Sequence, residues 1–161
     1  MENFREISHL IIHYITPFMY NISNTFPLTH EYLKVIIKEI AYVKIEFYET
    51  ASGRSDTYDY LEGLERKARR NKKDKILFQK IVEYMRLLQT IGTAVGFPYV
   101  RYLSDDIWEL RPNANRFFFF FEKKGAKYVM LHYFVKQRQK TPLNELETAK
   151  KHMLDYLERM R

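Results

Sequence analysis

Cations gather at strand ends in the last third of this chain. Arg111 closes the apolar run Ile107-Trp108-Glu109-Leu110, and Arg116 opens a run of five phenylalanines, Phe117 to Phe121. Lys136 closes the stretch from Tyr128 to Val135, and Arg138 and Lys140 follow in the basic loop Gln137-Arg138-Gln139-Lys140-Thr141-Pro142. A guanidinium is a planar fork that matches two phosphate oxygens, and an ammonium is a compact point charge for the same target. A sheet that collects such groups at one end is suited to gripping a phosphate backbone, which points to RNA.

Acid–base chemistry has several candidates. Alternation along a strand puts Glu109 on the same face as Arg111, and His132 on the same face as Lys136. Glu109 is either a salt-bridge partner of Arg111 on a half-exposed sheet or a direct participant. Imidazole as a group titrates near neutrality, which makes His132 a candidate general base, although its neighbours Met130, Leu131, Tyr133 and Phe134 more often surround a hydrogen-bonded core histidine. Lys136 or Lys140, with a pKa lowered by neighbouring cations, is the alternative base. The five histidines, His9, His13, His30, His132 and His152, show no ligand spacing and no accompanying carboxylate cluster, so the expectation is chemistry without a metal or other cofactor.

A second cationic cluster lies upstream. The run from Arg66 to Lys75 holds seven basic residues in ten: Arg66, Lys67, Arg69, Arg70, Lys72, Lys73 and Lys75. It reads either as the solvated tip of a helical hairpin or as a docking surface for structured RNA, where phosphate contacts position the protein without reading sequence.

The elements that must hold these groups can be read from periodicity. Val43 to Tyr48 alternates apolar and polar as a strand and ends at the turn Ser52-Gly53. Ser55 or Asp56 can cap a helix whose inner face is Tyr60, Leu61, Leu64 and Ala68. A second helix is expected over about 74–90, with Ile76, Leu77, Ile81, Tyr84, Met85 and Leu88 inward, closed by Gly92, Gly96 and Pro98. Strands follow at Tyr99–Leu103, Ile107–Arg111, Arg116–Phe121 and Tyr128–Lys136. The turns between them fall at Ser104-Asp105-Asp106, Pro112 to Asn115 and Lys123-Lys124-Gly125. The phenylalanines suit a central strand covered on both faces, with Phe118 and Phe120 aimed opposite to Phe117, Phe119 and Phe121. Thr141 and Pro142 read as the start of a C-terminal helix with Leu143, Leu146, Ala149, Met153, Leu157 and Met160 as its buried stripe. Upstream, residues 4–15 and about 28–40 carry helical spacing, interrupted at Pro17, and form an N-terminal extension over 1–41.

At 161 residues the chain is long enough to bury a core without staples. It has no cysteine, which excludes disulfides, thiolate metal sites and thiol nucleophiles and is compatible with a reducing cytosol. The net charge of +7 resides downstream of residue 40, since residues 1–40 hold three basic against four acidic side chains. The apolar stretch Leu10 to Tyr20 contains His13, Thr16 and Pro17 and is too short for a bilayer span, so no membrane role is expected and the protein reads as cytoplasmic.

The order helices, strand, two helices, several strands, helix comes with particular residues. They are Phe47-Tyr48-Glu49, Gly53-Arg54, Gly96-Phe97-Pro98-Tyr99, Trp108-Glu109-Leu110-Arg111, Asn115-Arg116-Phe117, Leu131-His132, Phe134-Val135-Lys136 and Gln139-Lys140-Thr141-Pro142. Together they resemble the HigB branch of the RelE/ParE-like toxins of bacterial toxin–antitoxin systems, over about residues 42–160. The resemblance implies an α+β fold, a compact domain over 42–161 with a mainly antiparallel sheet flanked by helices. It implies a toxin that enters the ribosomal decoding site and cuts messenger RNA without a metal, through attack of the ribose 2′-hydroxyl on the adjacent phosphorus. Arg111, Arg116 and Lys136 would bind the phosphate, with Glu109 and His132 as acid–base candidates and Arg138 and Lys140 as further RNA contacts. The implied partner is a helix-turn-helix, HigA-like antitoxin, with operator DNA met only through that complex. A ParE-like inhibitor of DNA gyrase and a nonenzymatic nucleic-acid-binding module are the competing readings. The chain departs from the family pattern at Gln137 and Arg138, and it has Pro142 or Leu143 where some relatives place a tyrosine.

Overall fold

The computed structural model describes residues 42–137 and 143–161, all within the second of the two units into which the chain divides, Tyr42–Arg161. The expected N-terminal helices, the loop residues Arg138 and Lys140 and the proposed cap Thr141-Pro142 lie outside the described residues.

Strand β1 (Lys44–Phe47) is followed by helices α1 (Asp56–Ala68) and α2 (Lys72–Ile91), a short 3-10 turn at Gly92–Val95, strands β2 (Val100–Ser104), β3 (Ile107–Leu110), β4 (Asn115–Glu122) and β5 (Lys127–Val135), and helix α3 (Leu143–Arg159). The strands form one sheet in the order β1-β5-β4-β3-β2. All neighbours are antiparallel except β1 and β5, which pair in parallel with Phe47 opposite Met130. The α+β class and mainly antiparallel sheet are as the sequence predicts. Among the described residues no helix is long and apolar enough to cross a membrane.

Local chemistry sets the element ends. The Ser55 hydroxyl accepts from the Tyr58 amide at the start of α1, and Asp56 and Asp59 complement the positive end of the helix dipole. α2 starts at Lys72 rather than near Asp74, because Asn71 caps it by accepting from the Lys73 amide at 2.8 Å. Its end at Gly92 has φ of 69°, and a Cβ there would stand 2.8 Å from the Tyr128 hydroxyl, so glycine alone fits. Asp105 and Asp106 both take positive φ, 51° and 62°, which matches the twist of a tight β2–β3 hairpin. The Glu122 carboxylate accepts the amides of Lys124 and Gly125 and closes the β4–β5 turn.

The central position of β4 accounts for its phenylalanines, since a strand covered on both faces needs apolar side chains throughout. Phe118 and Phe120 join Ile107, Val129, Leu131 and Phe134 under Ala149 and Tyr156 of α3. On the opposite face Tyr60 of α1 stacks on Tyr133 with ring centres 4.2 Å apart and leans on Phe117. Leu61, Leu64, Phe78, Ile81, Met85 and Leu88 are the buried apolar side chains of that helical pair. A bulge between Phe118 and Phe119 gives β5 one extra residue there.

Two expected stripes need correction. Ile76 is exposed, and Phe78 takes its place in the core of α2. On α3, Leu143, Leu157 and Met160 are exposed while Tyr156 is buried. Tyr156 wins because its hydroxyl reaches the Glu46 carboxylate at 3.0 Å, and Lys127 reaches the same carboxylate at 2.8 Å. Burial pushes the Glu46 carboxyl up, but these hydrogen bonds and the Lys127 charge outweigh it and hold the group below its usual range.

Phe118→Ala should destabilise the protein by about 3–5 kcal/mol, because Phe118 is 0% exposed. Phe121, at 41% exposure, should cost under about 1 kcal/mol when replaced by alanine. Urea unfolding of both variants checks the pair, and equal losses would contradict the packing described.

Candidate functional site

Register brings the candidate residues to one end of one sheet face. Glu109 stands opposite Phe118, and Phe118 stands opposite His132, so these three form a row across β3, β4 and β5. Leu110 pairs with Phe117, Arg111 and Arg116 flank that pair on the two strands, and Arg116 in turn pairs with Phe134. This is the α3 face of the sheet, since Phe118 and Phe134 belong to the core cluster that contains Ala149 and Tyr156. Lys136 follows β5 at the same end, its amide donating to the Ala114 carbonyl at 2.8 Å.

Glu109 is the centre of this group. It is 1% exposed, and a buried carboxylate requires compensation. Arg111 Nε lies 3.3 Å from Glu109 Oε2, and Arg116 Nε lies 3.6 Å from Oε1. Arg116 Nη1 also donates to the carbonyls of Asn113 and Asn115 at 2.6 and 2.8 Å, which pins the β3–β4 connection. Arg111 Nε, Arg111 Nη1 and Arg116 Nε are buried without an aligned hydrogen-bond acceptor, so charge rather than directed hydrogen bonding holds the pair to the carboxylate. Burial depresses the Arg116 pKa, the nearby Arg111 charge depresses it further, and Glu109 opposes both. Two like charges held side by side favour an anion between or above them.

The two arginines are not equivalent. The Arg111 side chain is 16% exposed and the Arg116 side chain 9%, so Arg111 is the more accessible to an incoming phosphate. Arg111 also lies over the ring of Phe97, 5.0 Å from its centre.

His132 has a partner that sequence reasoning missed. Its Nε2 lies 2.6 Å from Glu145 Oε2, a carboxylate in the first turn of α3. Thirteen residues separate the two, and only the return of α3 over β5 brings them together. The histidine is half-buried, with its ring 6.4 Å from Phe118 and 6.1 Å from His152. A carboxylate on one ring nitrogen fixes the orientation of an imidazole.

The upstream basic cluster forms the exposed tip of the α1–α2 hairpin. Arg66, Lys67, Arg69, Arg70, Lys72 and Lys73 are all exposed. Arg66 pairs with Glu62 at 3.5 Å and Arg69 with Glu65 at 2.8 Å, and Gly63, Arg66, Lys67, Arg69 and Arg70 line an open groove. α2 meets the sheet at Tyr84, which packs on Tyr99 beside the Arg111 end, and continues to Gly92 near Tyr128 at the opposite end. Among the described residues no group of His, Asp or Glu converges as metal ligands would.

Removing the Glu109 charge tests the centre. Glu109→Gln should cost about 3 kcal/mol or more, because it leaves two buried guanidiniums facing one another. Chemical unfolding measures the loss, and a variant as stable as wild type would show that the carboxylate does not hold the pair.

Compared with known proteins, residues 59–154 match the family model described as Phage derived protein Gp49-like (DUF891), a stretch that runs from α1 into α3 and includes β2 to β5. No curated protein matches the chain.

Proposed function

The chain belongs to the phage-derived Gp49-like family, a family of RelE/HigB-like toxins of toxin–antitoxin systems, and we propose that it is a HigB-type, ribosome-dependent mRNA endonuclease. In this reading it acts in the cytoplasm, inhibits translation and is neutralised by a HigA-like, helix-turn-helix antitoxin. Operator DNA is met only through that antitoxin complex. The observation that carries the reading is the convergence of Arg111 and Arg116 on the buried Glu109, at the end of the sheet to which Lys136 also belongs. A gyrase inhibitor has no need to converge guanidiniums on one phosphate.

The chemistry follows from the side chains. The ribose 2′-oxygen attacks the adjacent phosphorus and the bond to the 5′-oxygen breaks, leaving a 2′,3′-cyclic phosphate and a 5′-hydroxyl. Arg111, backed by Arg116 and with Lys136 nearby, stabilises the charge that builds on the phosphorane oxygens. Glu109, at 1% exposure, acts by positioning these groups rather than by touching substrate. His132, oriented by Glu145, takes the role of base or acid at the scissile bond. Arg138 and Lys140 supply further phosphate contacts. The hairpin tip, with Arg66, Lys67, Arg69, Arg70, Lys72 and Lys73, docks on ribosomal RNA through phosphate contacts.

Arg111→Ala should reduce cleavage about a hundred- to a thousandfold, the usual loss for one transition-state donor, measured below the variant's unfolding transition because it also leaves the buried Glu109 with one guanidinium fewer. Primer-extension mapping of message ends after controlled expression in a bacterium checks this. Equal cutting by the variant at equal abundance would remove Arg111 from the site. Replacing both Arg69 and Arg70 by alanine should weaken ribosome binding and flatten its salt dependence by about one to two in the log–log slope. An unchanged slope would take the hairpin out of the interface.

A further inference from the structure

Phe97 is the exposed aromatic that neither the core nor the proposed chemistry uses. It is 78% exposed, the most exposed large apolar side chain beside Leu143 among the described residues. Its position is nevertheless fixed. Gly96, at φ of 64°, accepts the amides of Tyr99 and Val100 and donates to the Thr93 carbonyl, so the backbone on either side of the ring is tied down. The Arg111 amide in turn donates to the Tyr99 carbonyl at 2.9 Å, which couples this turn to the strand that carries the guanidinium pair. Arg111 lies over the Phe97 ring at 5.0 Å, and the remainder of the ring faces solvent.

An aromatic ring that stands in water on a tethered backbone, beside a phosphate-binding guanidinium, has the chemistry of a nucleobase platform. Stacking on a base is sequence-tolerant because every base has a flat face, and the ring needs no polar partner. Holding the base next to the scissile phosphate also fixes the sugar between them, and with it the 2′-oxygen that must align for attack. We propose that Phe97 stacks on a base of the codon being cut, adjacent to the phosphate held by Arg111, and so orients the nucleotide that is cleaved. The inference rests on the nuclease reading above.

The test uses the full-length protein and bacterial ribosomes programmed with a 2′-O-methylated message, which cannot be cut. The codon in the vacant decoding site is either intact or carries one abasic nucleotide at each position in turn. Wild type should bind about tenfold more tightly to the intact codon than to the codon abasic at one particular position, the scale of a single stacked base. Phe97→Leu should lose that preference while binding the abasic ribosome as wild type does, and Phe97→Trp should keep it. A preference that survives in Phe97→Leu, or none at any position in wild type, would overturn the stacking role and leave the phosphate site standing. Failure of wild type to bind programmed ribosomes at all would instead overturn the nuclease reading, and the stacking inference with it.

Discussion

The site is organised by a carboxylate shut away from solvent. Glu109 sits at 1% exposure between Arg111 and Arg116, and both guanidiniums lie against it and compensate its charge. That requirement fixes the register of β3 on β4, since a slip of one residue would turn Glu109 away from Arg116 to the other sheet face. It also fixes the connection between these strands, because Arg116 Nη1 donates to the carbonyls of Asn113 and Asn115. The price is a pair of like charges held close together, and the ion pairs that hold them lack aligned hydrogen bonds. An arrangement of this kind is stable in isolation and still favourable to an arriving anion.

The remaining elements serve that centre from two sides. On one face α3 covers Phe118 and brings Glu145 to His132. On the other, Tyr60 of α1 packs on Tyr133 and donates to the Asn115 side chain at 2.7 Å, which ties the helical hairpin to the first residue of β4. The basic hairpin tip therefore has a fixed relation to the guanidinium pair.

Much of the fold was legible in the sequence where one physical signal dominates. The phenylalanine run suits a strand covered on both faces, and Ser104-Asp105-Asp106 a turn between strands. Arg111, Glu109 and Arg116 were legible as one group because they bracket a short loop between adjacent strands. Their inequality was not, since the depth of Arg116 depends on loop carbonyls that no sequence pattern displays. Glu145 stayed hidden because its meeting with His132 depends on how α3 returns over the sheet. In the sequence Phe97 stands out only as part of the Gly96-Phe97-Pro98-Tyr99 stretch, and its exposure and the guanidinium above it distinguish it from a packing residue. The α3 stripe failed where Tyr156 displaced Leu157, because the sheet edge offers a tyrosine hydroxyl the Glu46 carboxylate and offers leucine nothing comparable.

The central claim is that the Arg111–Arg116 pair serves a phosphorane formed by a ribose 2′-oxygen. Its most direct measurement is product analysis in a purified system, with the protein added to ribosomes stalled on an end-labelled message that is all-ribose or carries a single 2′-deoxy nucleotide at the mapped cut. The account predicts a 2′,3′-cyclic phosphate on the upstream fragment of the all-ribose message and no cut at the deoxy position. Cutting of the deoxy message at the same bond, or no cutting of either message by active protein, would contradict it.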